Sequence, residues 1–406
     1  GKFHSVFLAD GNAVRQMDKR ALFENIAPSD RPVTFEPATV MAAISQHTGH
    51  IGMFCTLSTT YNEPYNVARQ LASLDHISNG RAGWNGVTTS YEGDSVNYGN
   101  DPFPPREERY ARGIEFVEVC KELWDSWAAD AFPQDKATGK FLDADRVRKI
   151  FHHGPHFDVE GPLNVARMPQ GYPVMFMAGQ SEPGREFAAK HAEALFVSAK
   201  EKGQAKEVRD DIRRRMPKYG RSPDGIKFIP GVGVNVARTR EEAYALNREL
   251  AALVRPALGV QYLSATVKVD MSAYDPDGPF PADLPDNIQG IRSQRDNIVE
   301  IALRDGLTVR QTWELLIGGG DHQPFTGTAG EVADQLEEWF EDGACDGFML
   351  HGPTVLQGLT NMVDLLIPEL QRRGLFHKDY VGGTVRDEMG LPIPTNPYFE
   401  HQQAAE

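Results

Sequence analysis

The chain has 406 residues, 40% hydrophobic and 24% charged, with a formal net charge of −15 and a pI near 5.3. That is the composition of a globular protein with a sizeable core, and its acidic balance argues against a nucleic-acid or anionic-membrane partner, which would call for a basic face. No run of eighteen apolar residues exists, so no membrane span is expected, and the opening GKFHSVFLADG lacks the pattern of a signal peptide. Three scattered cysteines, Cys55, Cys120 and Cys345, read as reduced core residues of a cytoplasmic protein.

Apolar runs predict strands at 4–10, 50–59, 81–88, 173–180, 194–199, 227–237 and 347–352. Helical patterns fall between most of them, at 36–46, 66–78, 105–127, 181–192, 202–219, 239–254 and 328–343. Two helices open on capping boxes, Thr239 with Glu242 and Thr328 with Glu331. The stretch 65–90 shows the repeating step most clearly. Val67, Leu71, Leu74 and Ile77 form one apolar stripe, Asn79-Gly80 supplies positive φ, and a short buried strand ends near Asn85, Thr88 and Thr89. Strands alternating with helices imply parallel pairing, with ligands at the carboxyl ends of the strands.

Seven strands are one fewer than a (β/α)8 barrel needs, and GKF leads straight into a strand. A first strand and helix are therefore expected to precede Gly1. The chain reads as a single α/β domain, 1–406, of the TIM-type (β/α)8 class, interrupted at about 130–167 and 261–320 and closed by a tail at about 375–406. The first insertion contains FHHGPHFDVEGPLNV, whose alternation predicts a hairpin. The second has a Pro/Asp-rich centre, read as a mobile loop followed by helices. Long insertions in a barrel commonly wall or cover its site. The Pro-rich tail is expected to wrap a neighbouring subunit.

Several blocks carry a resemblance: FLADG (7–11), TLSTTYNEPYNVARQLASLDHISNGRAGWNGVTTS (56–90), ERYARGIEFVEVCKELWDSW (108–127), GPLNVARMPQGYPVMFMAGQSEPGREFAAKHAEALF (161–196), GTAGEVADQLEEWFEDGACDGFML (327–350) and LIPELQRRGLF (366–376). With these the chain resembles the flavin-dependent monooxygenases of the bacterial luciferase-like superfamily, in the branch of nitrilotriacetate, EDTA and dibenzothiophene-sulfone monooxygenases. The resemblance implies a TIM-type barrel that receives reduced FMN from a separate NAD(P)H:flavin reductase. With O2 as cosubstrate, it would oxygenate a small organic substrate, cleaving a C–N or C–S bond. The resemblance also implies a homodimer or homotetramer. A deazaflavin F420-dependent oxidoreductase of the same superfamily and a non-catalytic flavin-binding barrel are the alternatives.

Carried over residue by residue, the resemblance puts Asp10, Thr56 and Asn85 near the flavin ring. Asp10 could equally cap its own Asp-Gly turn, and Thr56 could be an ordinary β-branched strand residue. Asn85 can both donate and accept, which suits the edge of an isoalloxazine. Trp84 reads as core packing. Arg106 and Tyr110 share a helix face. The family has His-x-x-x-Tyr there, and Arg106 stands at the usual His position. An Arg can pair with a phosphate but cannot act as a proton donor near neutral pH. Gln180 and Ser181 occupy a strand-to-helix turn, GQSEPGR, whose free amides form an anion site with Ser181 as the N-cap. Barrel phosphates more often sit after strands 7–8, whereas the resemblance places this one after the fifth. His152, His153 and His156 fit no zinc spacing. Tyr91–Asp94 is read as a pocket wall, His322 and Phe325 as substrate contacts, and Tyr262, Tyr274 and Phe280 as an aromatic lining that would favour a hydrophobic substrate.

Overall fold

The computed structural model describes residues 1–14, 23–24, 33–99, 102–199, 201–253, 255–285, 292–319 and 323–399. In chain order its strands are β1 (Ser5–Leu8), β2 (Gly52–Ser58), β3 (Ala82–Val87), β4 (His152–His153), β5 (Asp158–Val159), β6 (Val174–Met177), β7 (Ala194–Val197), β8 (Lys227–Ala237), β9 (Gln323–Thr328) and β10 (Met349–His351). All seven expected strands are present, and they pair in parallel in the order β1-β2-β3-β6-β7-β8-β10. This is the α/β sheet of a TIM-type barrel. Among the described residues β10 and β1 are not paired, so the path is open there. β4 and β5 form the expected antiparallel hairpin.

One strand was not anticipated. β9 contains Pro324 and Gly327, both poor strand formers, and its segment reads as loop. It forms because β8 outruns its neighbours. Val232 and Gly233 have partners in both β10 and β9, so β9 occupies the edge opposite β10, beyond the point where β7 stops at Pro230. Phe325 on β9 is consequently a core residue, 1% exposed and against Trp339, and not a substrate contact. His322 lies outside the described residues.

The pleat sorts side chains into two layers. Met53, Cys55, Leu57, Trp84, Met175 and Met177 face the surrounding helices and join the main apolar cluster. Phe54, Val174 and Phe176 face inward with Phe7, and the Phe176 ring centroid lies 5.7 Å from Phe54 and 5.1 Å from Phe7. Gly83 is required in this layer, because a Cβ there would stand 2.5 Å from the Phe54 ring. Burial pushes the Cys55 and Cys345 thiols up to about 12, as expected of unreactive core cysteines.

The helix Pro64–Ser78 ends as its sequence requires, with Asn79 at φ 58° and Gly80 at φ 80°. Ile77 departs from the expected stripe and is 53% exposed. Past Leu74 the buried face passes instead to Asp75 and Ser78. Asp75 Oδ1 accepts from Ala82 N at 3.1 Å and Gln170 Nε2 at 2.6 Å, which fastens helix, strand and distal loop together. Burial, the largest influence, raises the Asp75 carboxyl to about 6 despite these donors. A raised folded-state pKa favours folding below the unfolded value, and that contribution is lost as pH rises through about 6. Asp75→Asn should therefore remove a decline in stability of about 2–3 kcal/mol between pH 4 and 6, measurable by urea melts across that range.

The expected helices of the second insertion are present: Arg292–Arg304 and Val309–Gly319 pack with Pro256–Val267 around their own core of Leu263, Met271, Phe280, Ile298, Trp313 and Leu316. Phe280 belongs to that core and is not a lining residue, Tyr274 packs on it partly buried, and Tyr262 is 45% exposed. The tail folds onto its own barrel. Val385 and Leu391 complete the inward cluster at the end opposite the strand tips, and Arg386, fully buried, clamps Glu193 at 2.7 and 2.8 Å. No described helix is long and apolar enough to cross a membrane.

Candidate active site

One layer above the aromatic plug, the barrel interior turns polar. Thr56 and Asn85 are register partners on β2 and β3. Asn85 Nδ2 donates to Thr56 Oγ1 at 2.9 Å, and Thr56 Oγ1 donates to Leu8 O at 2.9 Å, so one hydrogen-bonded chain ties the tips of β1, β2 and β3. Asn85 is 4% exposed, yet its Oδ1 has no partner. An unsatisfied buried acceptor costs stability unless something donates to it. Asp10 follows β1 at the same rim, half-buried. Desolvation raises its carboxyl above the ordinary range, against the lowering effect of the Gly11 amide, while Glu36 adds to the rise. Trp84 points outward, fully buried, with Nε1 donating to Leu57 O at 3.0 Å, as core packing requires.

The second part of the rim is the turn after β6. Gly179 and Gly184 touch: a Cβ on Gly184 would lie 2.8 Å from the Gly179 carbonyl carbon, so only glycines let strand and helix meet here. Ser181 is the N-cap of the helix Glu182–His191, but its side chain makes no capping bond to that helix. Instead its hydroxyl lies 3.3 Å from Tyr110 Oη, brought in by the helix Arg106–Trp124. A hydroxyl pair thus stands beside unsatisfied helix amides, the arrangement that suits an anion. Gln180 uses its Oε1 to accept from Ser198 N at 2.9 Å, and Ser198 O accepts from Asn297 Nδ2 of the insertion at 3.5 Å, which moors that unit beside the mouth. Arg106 opens its helix, half-buried, and its charge is felt by Arg109.

Five residues at this rim were not anticipated. Tyr61 and Tyr98 stack at 4.5 Å, 8° from parallel, and Asn12 Nδ2 donates to Tyr98 Oη at 2.6 Å. Arg109, 7% exposed, lies 4.1 Å over the Phe103 ring. Of these only Tyr61, an aromatic three residues past the end of β2, carried a local signal. Tyr91 and Asp94 flank them in the short turn Glu92–Asn97. The hairpin histidines are used locally: His152 Nε2 lies 3.1 Å from Glu115, whose carboxylate also accepts from Phe157 N at 3.0 Å.

Comparison with known proteins gives the family. The luciferase-like monooxygenase profile matches residues 2–346. Nitrilotriacetate monooxygenase component A of Aminobacter aminovorans is 42% identical, over 98% of this chain and 88% of that protein. N-acetyl-S-(2-succino)cysteine monooxygenase of Bacillus subtilis is 40% identical over the same shares. A crystal structure of a riboflavin lyase with modified FMN and riboflavin superposes with a TM-score of 0.83, at 31% identity, over 96% of this chain and 86% of that one. With a barrel mouth carrying a polar chain on β1–β3 and an anion-suited turn after β6, the chain belongs to the luciferase-like monooxygenase family, as a flavin-dependent monooxygenase.

Proposed function

We propose that this chain is the oxygenase half of a two-component system. It takes reduced FMN from a separate NAD(P)H:flavin reductase and uses O2 to oxygenate a small organic substrate, splitting a C–S or C–N bond. The observation that carries the reading is the Tyr110–Ser181 hydroxyl pair, 3.3 Å apart, at the start of a helix whose cap side chain leaves its amides unbonded. This pair, with those amides, would hold the flavin phosphate, with Arg106 a further cation at the rim. The orphaned Asn85 Oδ1 supports placing the ring edge over β3, where a ring N–H would satisfy it, with Thr56 and Asp10 beside it. Gln180, committed to Ser198, would shape the turn and not touch the flavin through its Oε1.

When bound, reduced FMN supplies the electrons that activate oxygen. The chain's own residues bind it, orient it and exclude water. The two relatives named act on nitrilotriacetate and N-acetyl-S-(2-succino)cysteine, both tricarboxylates built on a tertiary amine or thioether. Arg109, stacked over Phe103 at the rim, would be a cation for a substrate of that class. Anaerobic titration with reduced FMN should show one site per chain. Turnover of a carboxylated thioether or tertiary amine should then require both reductase and oxygen. Failure to bind reduced FMN, or turnover without oxygen, would end this reading, the second in favour of an F420-type reaction. Assembly as a homodimer or homotetramer is part of the same proposal and is read by light scattering.

A further inference from the structure

We propose that His4, His377 and Glu388 form a structural divalent-metal site, of the kind that takes Zn2+, at the end of the barrel opposite the flavin mouth. One potential ligand atom from each residue lies within 4.8 Å of the other two. His4 precedes β1, whereas His377 and Glu388 belong to the tail, so an ion there would pin the tail to the first described strand.

The hydrogen bonds around the cluster carry the argument. His377 Nε2 lies 2.6 Å from Lys2 O. A carbonyl can only accept, so Nε2 bears the proton, and in a neutral imidazole Nδ1 then presents a bare lone pair. That lone pair faces Glu388 Oε2 at 3.7 Å. The Glu388 side chain is 1% exposed. Its Oε1 accepts from Val381 N and Gly382 N, both at 2.8 Å, while Oε2 has no hydrogen-bond partner. Two acceptors thus confront each other in a buried place, which calls for a cation between them. Zinc donors stand roughly 3.3 Å apart in a tetrahedron, close to the 3.7 Å between His377 Nδ1 and Glu388 Oε2.

The outer contacts match those of metal ligands. A ligating His usually donates its other N–H to a carbonyl or carboxylate, and a ligating carboxylate is held by further donors. Both features are present. The His4 ring lies 4.5 Å from that of His377, centroid to centroid, and 5.6 Å from Phe376. The nearby cation Lys2 is occupied with Asp379 Oδ1 at 3.1 Å and Lys378 O at 2.5 Å. Two imidazoles and one carboxylate suit Zn2+, with a solvent molecule as the fourth ligand and Co2+ as a spectroscopic substitute.

The test uses the whole, tag-free chain, stripped with chelator and titrated with Zn2+ against a chromophoric competitor, then with Co2+. One equivalent should bind, the Co2+ form should show the strong visible bands of a four-coordinate site, and Zn2+ should raise the melting temperature. Glu388→Gln keeps an oxygen for the two amides, and His4→Phe keeps the ring packing on Phe376. Each should weaken binding at least 100-fold, while His153→Ala in the exposed hairpin should not. Absence of a bound equivalent overturns the proposal, as does binding unchanged in both variants. The same holds if the only event found is protonation of His377 without metal uptake.

Discussion

Ser181→Asp should lower the affinity for reduced FMN at least 100-fold, about 2.7 kcal/mol, while leaving the fold intact. The two effects separate because Asp is as good an N-cap as Ser and complements the helix dipole. The helix Glu182–His191 therefore keeps its start. What changes is the charge at the place proposed for the phosphate. A carboxylate there repels a dianion at short range, in a half-buried setting where water screens poorly. The control is riboflavin, which has no phosphate. Its binding to the variant should stay within a few-fold of the unsubstituted protein, whereas an equal loss for both ligands would show that Ser181 does not face the phosphate. Anaerobic fluorescence titration reads both constants.

Arg386→Met should destabilise the fold by about 3–5 kcal/mol, the cost of leaving one partner of a buried ion pair alone. Arg386 is fully buried, holds both Glu193 oxygens, and donates to the carbonyls of Tyr172 at 3.2 Å and Pro392 at 3.0 Å. Glu193 Oε2 also accepts from Met175 N at 3.1 Å, so the pair links the tail directly to β6. Met fills much of the volume and removes the charge. The double variant Arg386→Met with Glu193→Gln should recover part of the loss, because no bare carboxylate then remains. Urea melts of the four proteins measure this. A single variant within 1 kcal/mol of the unsubstituted chain would mean that the tail is not a structural element.

Much of the architecture was written in short-range patterns. The helix Ala329–Glu341 opens at Thr328 with its capping box complete, because Thr328 and Glu331 need only one turn of chain to find each other. Asn79 and Gly80 end a helix for an equally local reason, since positive φ is cheap there. β8 spans the expected 227–237, and its apolar run is long enough to be unambiguous. The strand-to-helix turn around Ser181 could be read as a helix start from residue types alone, and the free amides of such a start are part of its backbone geometry.

Contacts between distant residues decided the rest. Ser181 meets Tyr110 across 71 positions, and nothing near either residue announces that the serine will turn from its own helix to a tyrosine hydroxyl. β9 exists because β8 leaves an edge unpaired, which outweighs the poor strand propensity of Pro324 and Gly327. Ile77 is exposed because Asp75 found Gln170, 95 residues away. Residues 385–391 of the tail sit on their own barrel because Arg386 reaches Glu193, 193 positions away. Periodicity within a dozen residues thus determined what each segment becomes. The pairing of polar groups across the whole chain, where an unmet buried donor or acceptor costs as much as a segment's local preference, determined where each segment goes and which side chains gather at the mouth.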